Sequence, residues 1–465
     1  MTQSILDNLE AANTYLEERF ADKLHINPIL NRQLVSFQAN KTLPVYRWFK
    51  YKEAFSEALV HYILDELGIE HGKILDPFAG TGTALFATQE NGLDTVGIEL
   101  LPIGCEIMEV RQLIRGNEAM LGDVIHRWLE ERPWQKGIGQ EFQHLKITKG
   151  AFSEETQTAI ERYLAATKQE NTIASRFLRF AALCILEDVS YTRKDGQYLR
   201  WDYRSDRQQG AKPFNKGKIA SFDDAIMQKL AELYADLQPH ATLNLFSHSK
   251  KRGSFELLRG SCLELLPTLK TASFDGIITS PPYANRYDYT RTYALELALL
   301  GVDETGIREF RQAMISCTVE NREKNIQSLF PASIYQNARS AFEGQNELQA
   351  ILEYLEWQRI TKALNNPGIS RMIRNYFWEM TLVIIECARL LKPGASLVMV
   401  NDNVRYGGAV IPVDLILSDI AQNVGFEVKN IWVLPTGKGN SSQQMGVHGR
   451  SEARKCIYIW ERKIT

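Results

Sequence analysis

Residues 73 to 83 read Lys-Ile-Leu-Asp-Pro-Phe-Ala-Gly-Thr-Gly-Thr, a short apolar strand that runs into a glycine turn and opens a helix. Such a junction belongs to a doubly wound α/β sheet, where ligands bind beyond the carboxyl ends of the strands. Gly80 and Gly82 lack a Cβ, so the backbone can turn tightly and approach a ligand closely. A dinucleotide-binding turn would carry a third glycine three residues later, but Leu85 stands there, which weakens a pyrophosphate reading. Glu99, at the end of the next strand, is placed to accept hydrogen bonds from ribose hydroxyls. A turn with a purely structural role is the alternative for the Gly-x-Gly alone.

Strands and helices alternate around this turn. Residues 1–70 read as a helical, charged N-terminal region with an apolar-periodic stretch over 54–67 that Gly68 closes. Within 71–116, strands at 73–76 and 95–99 and helices at 83–90 and 103–115 make a βαβα run, which requires a parallel sheet. Residues 117–253 read as a mainly helical insertion. The core resumes over 254–304 with strands at 255–259 and 274–279, and a second helical insertion covers 305–370. Residues 371–465 return to the core with helices at 372–391 and 412–423 and strands at 396–400, 426–434 and 455–460. The expected fold is α/β: a doubly wound, mostly parallel seven-stranded sheet with a C-terminal antiparallel hairpin and large helical insertions.

The strand at 274–279 ends in Thr-Ser-Pro-Pro-Tyr, and two prolines cannot continue a sheet but hold a loop rigid. An exocyclic amine on a base is a poor nucleophile, because its lone pair is delocalised into the ring. The Ser280 hydroxyl and the Pro281 carbonyl offer two acceptors for its hydrogens, Pro282 stiffens the loop, and Tyr283 offers a face for a flipped base. Orientation and proximity then supply most of the rate. A stiff turn without chemistry is the alternative here.

Asp-Pro-Phe-Ala-Gly-Thr-Gly-Thr at 76–83 and Thr-Ser-Pro-Pro-Tyr at 279–283 together resemble the cofactor and catalytic motifs of the amino-directed (cytosine-N4 or adenine-N6) DNA methyltransferases. The resemblance implies the methyltransferase fold and S-adenosylmethionine as cofactor, with Asp76, Phe78, Gly80, Gly82 and Thr83 around its methionine part. Phe55 and Ser56, in Lys52-Glu53-Ala54-Phe55-Ser56, occupy the place of a segment that cradles the cofactor carboxylate; a helix start capped by Ser56 is the alternative. In that family a serine before the two prolines goes mostly with cytosine-N4 enzymes and aspartate mostly with adenine-N6 enzymes, so Ser280 favours cytosine. Gly260-Ser261-Cys262 departs from the Gly-Asp that relatives often carry, which leaves the contact to the cofactor adenine open. A cytosine-C5 enzyme needs a cysteine nucleophile, typically after proline, and no Pro-Cys pair occurs. Adenine-N6 transfer, RNA methylation and an inactive DNA-binding subunit are the competing functions.

The net charge of −2 and a pI near 6.5 exclude a uniformly basic protein, so contact with double-stranded DNA must use a local patch. Residues 191–218 interleave basic and aromatic side chains, with Arg193, Lys194, Tyr198, Arg200, Trp201 and Arg204 as candidates for phosphates and bases. Arg286 and Arg291, directly after the catalytic motif, are candidates for the base pocket. A solvated loop and a helix start are the respective alternatives. The six cysteines and eight histidines show no metal-ligand spacing, and no metal is expected. No apolar run approaches a membrane span and residues 1–10 are polar and acidic, so a cytoplasmic protein is expected, with a cognate restriction nuclease as a further partner.

Overall fold

The computed structural model describes residues 2–139, 141–195, 198–207, 213–238, 252–435 and 453–464. In chain order the strands are β1 (Leu24–Ile26), β2 (Lys73–Asp76), β3 (Asp94–Glu99), β4 (Thr192–Asp195), β5 (Tyr198–Trp201), β6 (Phe255–Arg259), β7 (Phe274–Thr279), β8 (Leu391–Asp402), β9 (Val404–Tyr406), β10 (Ala409–Ile411), β11 (Phe426–Val433) and β12 (Lys455–Arg462). Eight of them form one sheet in the order β1-β11-β12-β8-β7-β2-β3-β6. β12 runs antiparallel to both β11 and β8, and every other neighbouring pair is parallel. The expected closing hairpin is therefore present.

The expected count of seven strands is corrected to eight by β1, which pairs parallel to β11 with Leu24 opposite Ile431. Three residues, two of them exposed, carry no alternation that a sequence pattern could reveal. The N-terminal region is likewise less helical than expected. Helix α1 (Thr2–Arg19) and helix α2 (Glu57–Leu67) flank a stretch made mostly of turns, with a 3₁₀ turn at Phe37–Thr42.

Alternate strand residues feed the two faces, as the pleat requires. Ile74, Ile278, Val398, Val400, Ile457 and Ile459 pack with Leu59, Val60 and Ile63 of α2 and with Ala84 and Ala87 of helix α3 (Thr83–Glu90). On the opposite face Leu75, Ile277, Leu397, Met399 and Tyr458 pack with the long helix at Ile369–Leu390 and the helix at Val413–Asn423. Ile5, Leu9, Leu16 and Phe20 join that second layer, so α1 is a part of the core and not a separate lobe.

The first insertion builds its own apolar centre, where Trp128, Trp134, Tyr163, Phe177 and Phe180 are fully buried. That centre is continuous with Ile103, Ile107 and Val110 of helix α4 (Pro102–Leu113), which ties the insertion to the cofactor half of the sheet. It also contains the two-stranded β4–β5 hairpin, which a helical reading of 117–253 did not include. No helix among the described residues is long and apolar enough to cross a membrane.

Candidate active site

Asp76, Glu99, Thr279 and Asp402 are the last residues of β2, β3, β7 and β8. These parallel strands share one carboxyl edge, the edge at which doubly wound sheets bind ligands. A cavity of about 1450 Å³ opens there, lined among others by Phe55, Asp76, Phe78, Gly80, Thr83, Glu99 and all of Ser280, Pro281, Pro282 and Tyr283. The two motifs, roughly two hundred residues apart in the chain, meet directly. The buried Thr279 hydroxyl donates to Asp76 Oδ1 at 2.6 Å.

The glycine turn is held by the two carboxylates. Asp76 Oδ1 also accepts from Phe78 N at 3.0 Å, while Glu99 Oε2 accepts from Gly80 N and Oε1 from Leu101 N, each at 2.7 Å. Gly80 has φ +55°, and a Cβ there would meet only Tyr51, at 3.5 Å, so its face toward the cavity is open. Burial pushes the Asp76 and Glu99 carboxyls up to about 7, against the opposing pull of these hydrogen bonds. Among the described residues neither has an ion-pair partner, so a ligand that brings positive charge or hydroxyl donors would be favoured beside them.

Two expected cofactor residues lie off the cavity wall. Ser56 is completely buried as the N-cap of α2: its Oγ accepts from Leu59 N and donates to Leu34 O at 2.6 Å, and it does not line the cavity. Gly82, at φ +78°, is not on the cavity wall either. A Cβ on Gly82 would strike Met108 Cγ at 2.7 Å and Phe86 Cε2 at 2.9 Å, so glycine is needed there for conformation and for packing.

In the second motif the Ser280 hydroxyl donates to Val400 O at 3.1 Å and lies 3.2 Å from the Tyr283 hydroxyl. With its one proton on Val400, Ser280 Oγ keeps lone pairs for an incoming N–H donor. Lys455 reaches the same corner, 5.6 Å from the Tyr283 ring centre and 3.5 Å from Asp402 Oδ1, and that pairing raises its pKa despite burial. Tyr287 and Tyr289, in the segment 285–291 that follows the catalytic motif and reads as a candidate pocket lining, line the cavity, and so do Tyr51, Asp402, Asn403, Arg405 and Lys455, which the sequence does not single out. Ser261, standing where relatives often carry aspartate, lines it too, with its hydroxyl donated to Ala313 O at 2.8 Å.

The DNA candidates divide. Lys194 is 4% exposed, ion-paired to Glu296 at 2.5 Å and set between the Phe49 and Tyr293 rings, so it is corrected from a phosphate ligand to a core residue. Arg204 is forked onto Asp202 at 2.6 and 3.0 Å, and Arg291 pairs with Asp288 at 3.3 Å and Glu320 at 3.0 Å. These two are likewise committed within the fold. Arg200 lies 4.2 Å from the Phe214 ring centre and pairs with Asp195, exposed Arg193 lies 5.6 Å from the same ring, and Trp201 stacks under Arg207 at 3.8 Å. The aromatic and basic interleaving is thus largely the packing of a hairpin. The Tyr198 side chain lies outside the described ones; its backbone pairs with Asp195. Arg286 lies between the cavity-lining residues Asn285 and Tyr287.

A family model described as DNA methylase matches residues 13–110, the segment that holds the glycine turn. Over 465 residues the chain is 50% identical to the Type II methyltransferase M.AvaI of Nostoc sp., with 99% of this chain and 95% of that protein covered. It is 40% identical over 472 residues to the Type II methyltransferase M.BsoBI of Geobacillus stearothermophilus, covering 96% and 91%. The Type II methyltransferase M.MjaII of Methanocaldococcus jannaschii matches over 195 residues at 25% identity, covering 41% and 33%. With near full-length likeness of this kind added to a carboxyl-edge cavity that joins both motifs, the chain belongs to the amino-directed DNA methyltransferases.

Proposed function

We propose that this enzyme methylates the N4 amino group of a cytosine flipped out of double-stranded DNA, using S-adenosylmethionine, as the protective half of a Type II restriction-modification system. The observation that carries the reading is the Thr279–Asp76 hydrogen bond, which fixes the rigid Ser-Pro-Pro-Tyr loop against the glycine turn across one cavity. Small-ligand pockets span roughly 300–1000 Å³, so about 1450 Å³ leaves room for a cofactor and a base together.

The residues fit the cofactor. Two buried carboxylates, unpaired with any cation among the described residues, suit its ammonium group and ribose hydroxyls, and the open Gly80 backbone admits close approach. Phe55 and Phe78 supply apolar wall. When bound, S-adenosylmethionine supplies an activated methyl group. The chain's own part is to hold the acceptor: Ser280 Oγ and the Pro281 carbonyl take the two amino hydrogens, and Tyr283 stacks on the base. A serine hydroxyl at the first position supports cytosine over adenine, and the Type II names of M.AvaI and M.BsoBI support the restriction-modification setting.

Labelled cofactor and unmethylated DNA, followed by digestion to nucleosides, are expected to yield N4-methyldeoxycytidine. N6-methyldeoxyadenosine in its place would move the target to adenine, and no labelled nucleoside from any DNA would overturn DNA methylation itself.

Cofactor binding is expected to depend on pH in one direction. A cationic ligand favours the ionised forms of Asp76 and Glu99, whose free-state values are raised to about 7. Binding below that pH must expel a proton, so affinity is expected to fall roughly tenfold per pH unit for each coupled proton and to level off above it. Calorimetric titration with S-adenosylmethionine between pH 5.5 and about 8 reads this, and a flat profile would contradict it.

A further inference from the structure

Three neighbouring strands bring a cation to the corner where the proline loop leaves the sheet. β7 pairs parallel to β8 with Thr279 opposite Met399, so Ser280, the next residue, falls beside Val400 and bonds its carbonyl at 3.1 Å. Two residues further along β8 stands Asp402, and β12, antiparallel on the other side, sets Lys455 opposite it. The Lys455 ammonium lies 3.5 Å from Asp402 Oδ1, which is shut off from solvent, and 5.6 Å from the Tyr283 ring centre. Lys455 and Asp402 line the same cavity as Ser280 and Tyr283. Taking an ammonium out of water is costly unless it is paired. Asp402 provides the pairing, and the Tyr283 hydroxyl is the further group that the ammonium meets.

Ser280 Oγ and Tyr283 Oη lie 3.2 Å apart. Two hydroxyls at that distance share one hydrogen bond, and either can supply its proton. The sense matters, because Ser280 Oγ helps an incoming amine only by presenting a lone pair. An ammonium has three donors and no acceptor, so Lys455 can only donate toward Tyr283 Oη, which leaves the phenol proton to point at Ser280. Ser280 then gives its own proton to the Val400 carbonyl, which only accepts. One Ser280 lone pair takes the Tyr283 proton and the other is left for a ligand. The electrostatics agree. Burial works to lower the Lys455 pKa, yet Asp402 and Tyr283 together hold it above its ordinary value, and Lys455 opposes the upward push of burial on Tyr283. Lys455 is therefore an ammonium at neutral pH.

We propose that Lys455, anchored by Asp402, is a positioning residue for methyl transfer: it orders the Tyr283 and Ser280 hydroxyls in one direction, so that Ser280 presents an acceptor to the target amine. This rests on the reading that an amine meets Ser280, and it holds for cytosine and adenine alike. Lys455 acts through the Tyr283 hydroxyl, and that route separates it from a lysine that only fills space or balances Asp402.

The test measures single-turnover methyl transfer by the full-length chain on DNA that accepts label from the wild-type enzyme. Lys455→Met is expected to lower the rate roughly tenfold, the loss of one charge-assisted hydrogen bond. Lys455→Arg, also a donor only, is expected to stay within about threefold of wild type. Tyr283→Phe keeps the ring, removes the hydroxyl through which the lysine acts, and is expected to lose roughly tenfold as well. The two losses are expected not to add: Lys455→Met placed on Tyr283→Phe should cost less than about twofold further. Calorimetry with S-adenosylmethionine is expected to give wild-type affinity for every variant, which also shows that each one folds. If the unbalanced Asp402 prevents folding of Lys455→Met, Asp402→Asn is added to every arm of the cycle. A wild-type rate in Lys455→Met would overturn the positioning role. So would a loss of about a hundredfold in the double variant, the product of two independent effects. A loss confined to duplex affinity would make Lys455 a DNA contact and overturn it too. A wild-type chain that labels no DNA overturns the underlying reading instead, and is recognised before any variant is made.

Discussion

Replacing Ser280 by alanine is expected to lower kcat on the order of a hundredfold while leaving cofactor affinity within about threefold of wild type. The hydroxyl lies where β7 ends and donates to Val400 O at 3.1 Å, which under the proposed function leaves its lone pairs for the target amine. Under the proposed function, alanine removes one of the two acceptors that would orient the amine. It does not touch the glycine turn, which is fixed through Asp76, Glu99 and the neighbouring Thr279. An interaction made chiefly while the amine reacts appears in kcat, whereas a group that binds the cofactor would appear in its affinity. The lost hydrogen bond to Val400 O costs about 1 kcal/mol of stability, too little to unfold the chain. Single-turnover rates and calorimetric cofactor binding on the same preparation separate the two effects. Equal losses in both would place Ser280 in cofactor binding, and no loss in either would remove it from the site.

Gly104→Ala is expected to cut cofactor affinity by about tenfold or more, from a helix position off the cavity wall. In α4 a Cβ at Gly104 would lie 2.4 Å from Gly80 O and 2.8 Å from Glu99 Cγ. The first obstacle is backbone of the glycine turn, and the second is the carboxylate that holds the turn through Gly80 N. Relief requires the turn to move away from Glu99, which opens the cradle. Overpacking of this kind costs about 1–3 kcal/mol, offset by roughly 1 kcal/mol of gained helix propensity, so the chain should remain folded. Gly122→Ala is the control, since a Cβ there meets nothing within 4 Å inside the helix Glu118–Glu131. That variant is expected to gain up to about 1 kcal/mol with cofactor binding intact. Thermal unfolding with and without S-adenosylmethionine reads both, and a Gly104→Ala chain stabilised by the cofactor as strongly as wild type would contradict the account.

The parts of this structure that were legible in the sequence are those encoded over a few consecutive residues. The strand ending at Asp76, the turn at Gly80 and the proline loop after Thr279 each carry a local pattern with a physical reason. So does the close of α2 at Gly68, which adopts φ +61°. What escaped was set by distant partners. Lys194 reads as a free cation until β4 brings it to Glu296, and no spacing rule links those two positions. Gly104 looks like an ordinary weak helix former until α4 packs it against Gly80 O. Lys455 meets Asp402 at the cavity because β12 inserts beside β8 and pairs the two residues, though 53 positions separate them in the chain. Ser56 shows the reverse error, because a capping serine and a ligand-binding serine look alike until the hydroxyl's partners are known.

Methyl transfer to cytosine through Ser280 is tested by sequencing the modified bases in DNA from a host expressing either the wild-type chain or Ser280→Ala. N4-methylcytosine in one recurring sequence context is expected with the wild type, and its loss or near loss with the variant. Methylation on adenine, or the same level of N4-methylcytosine with both chains, would contradict it.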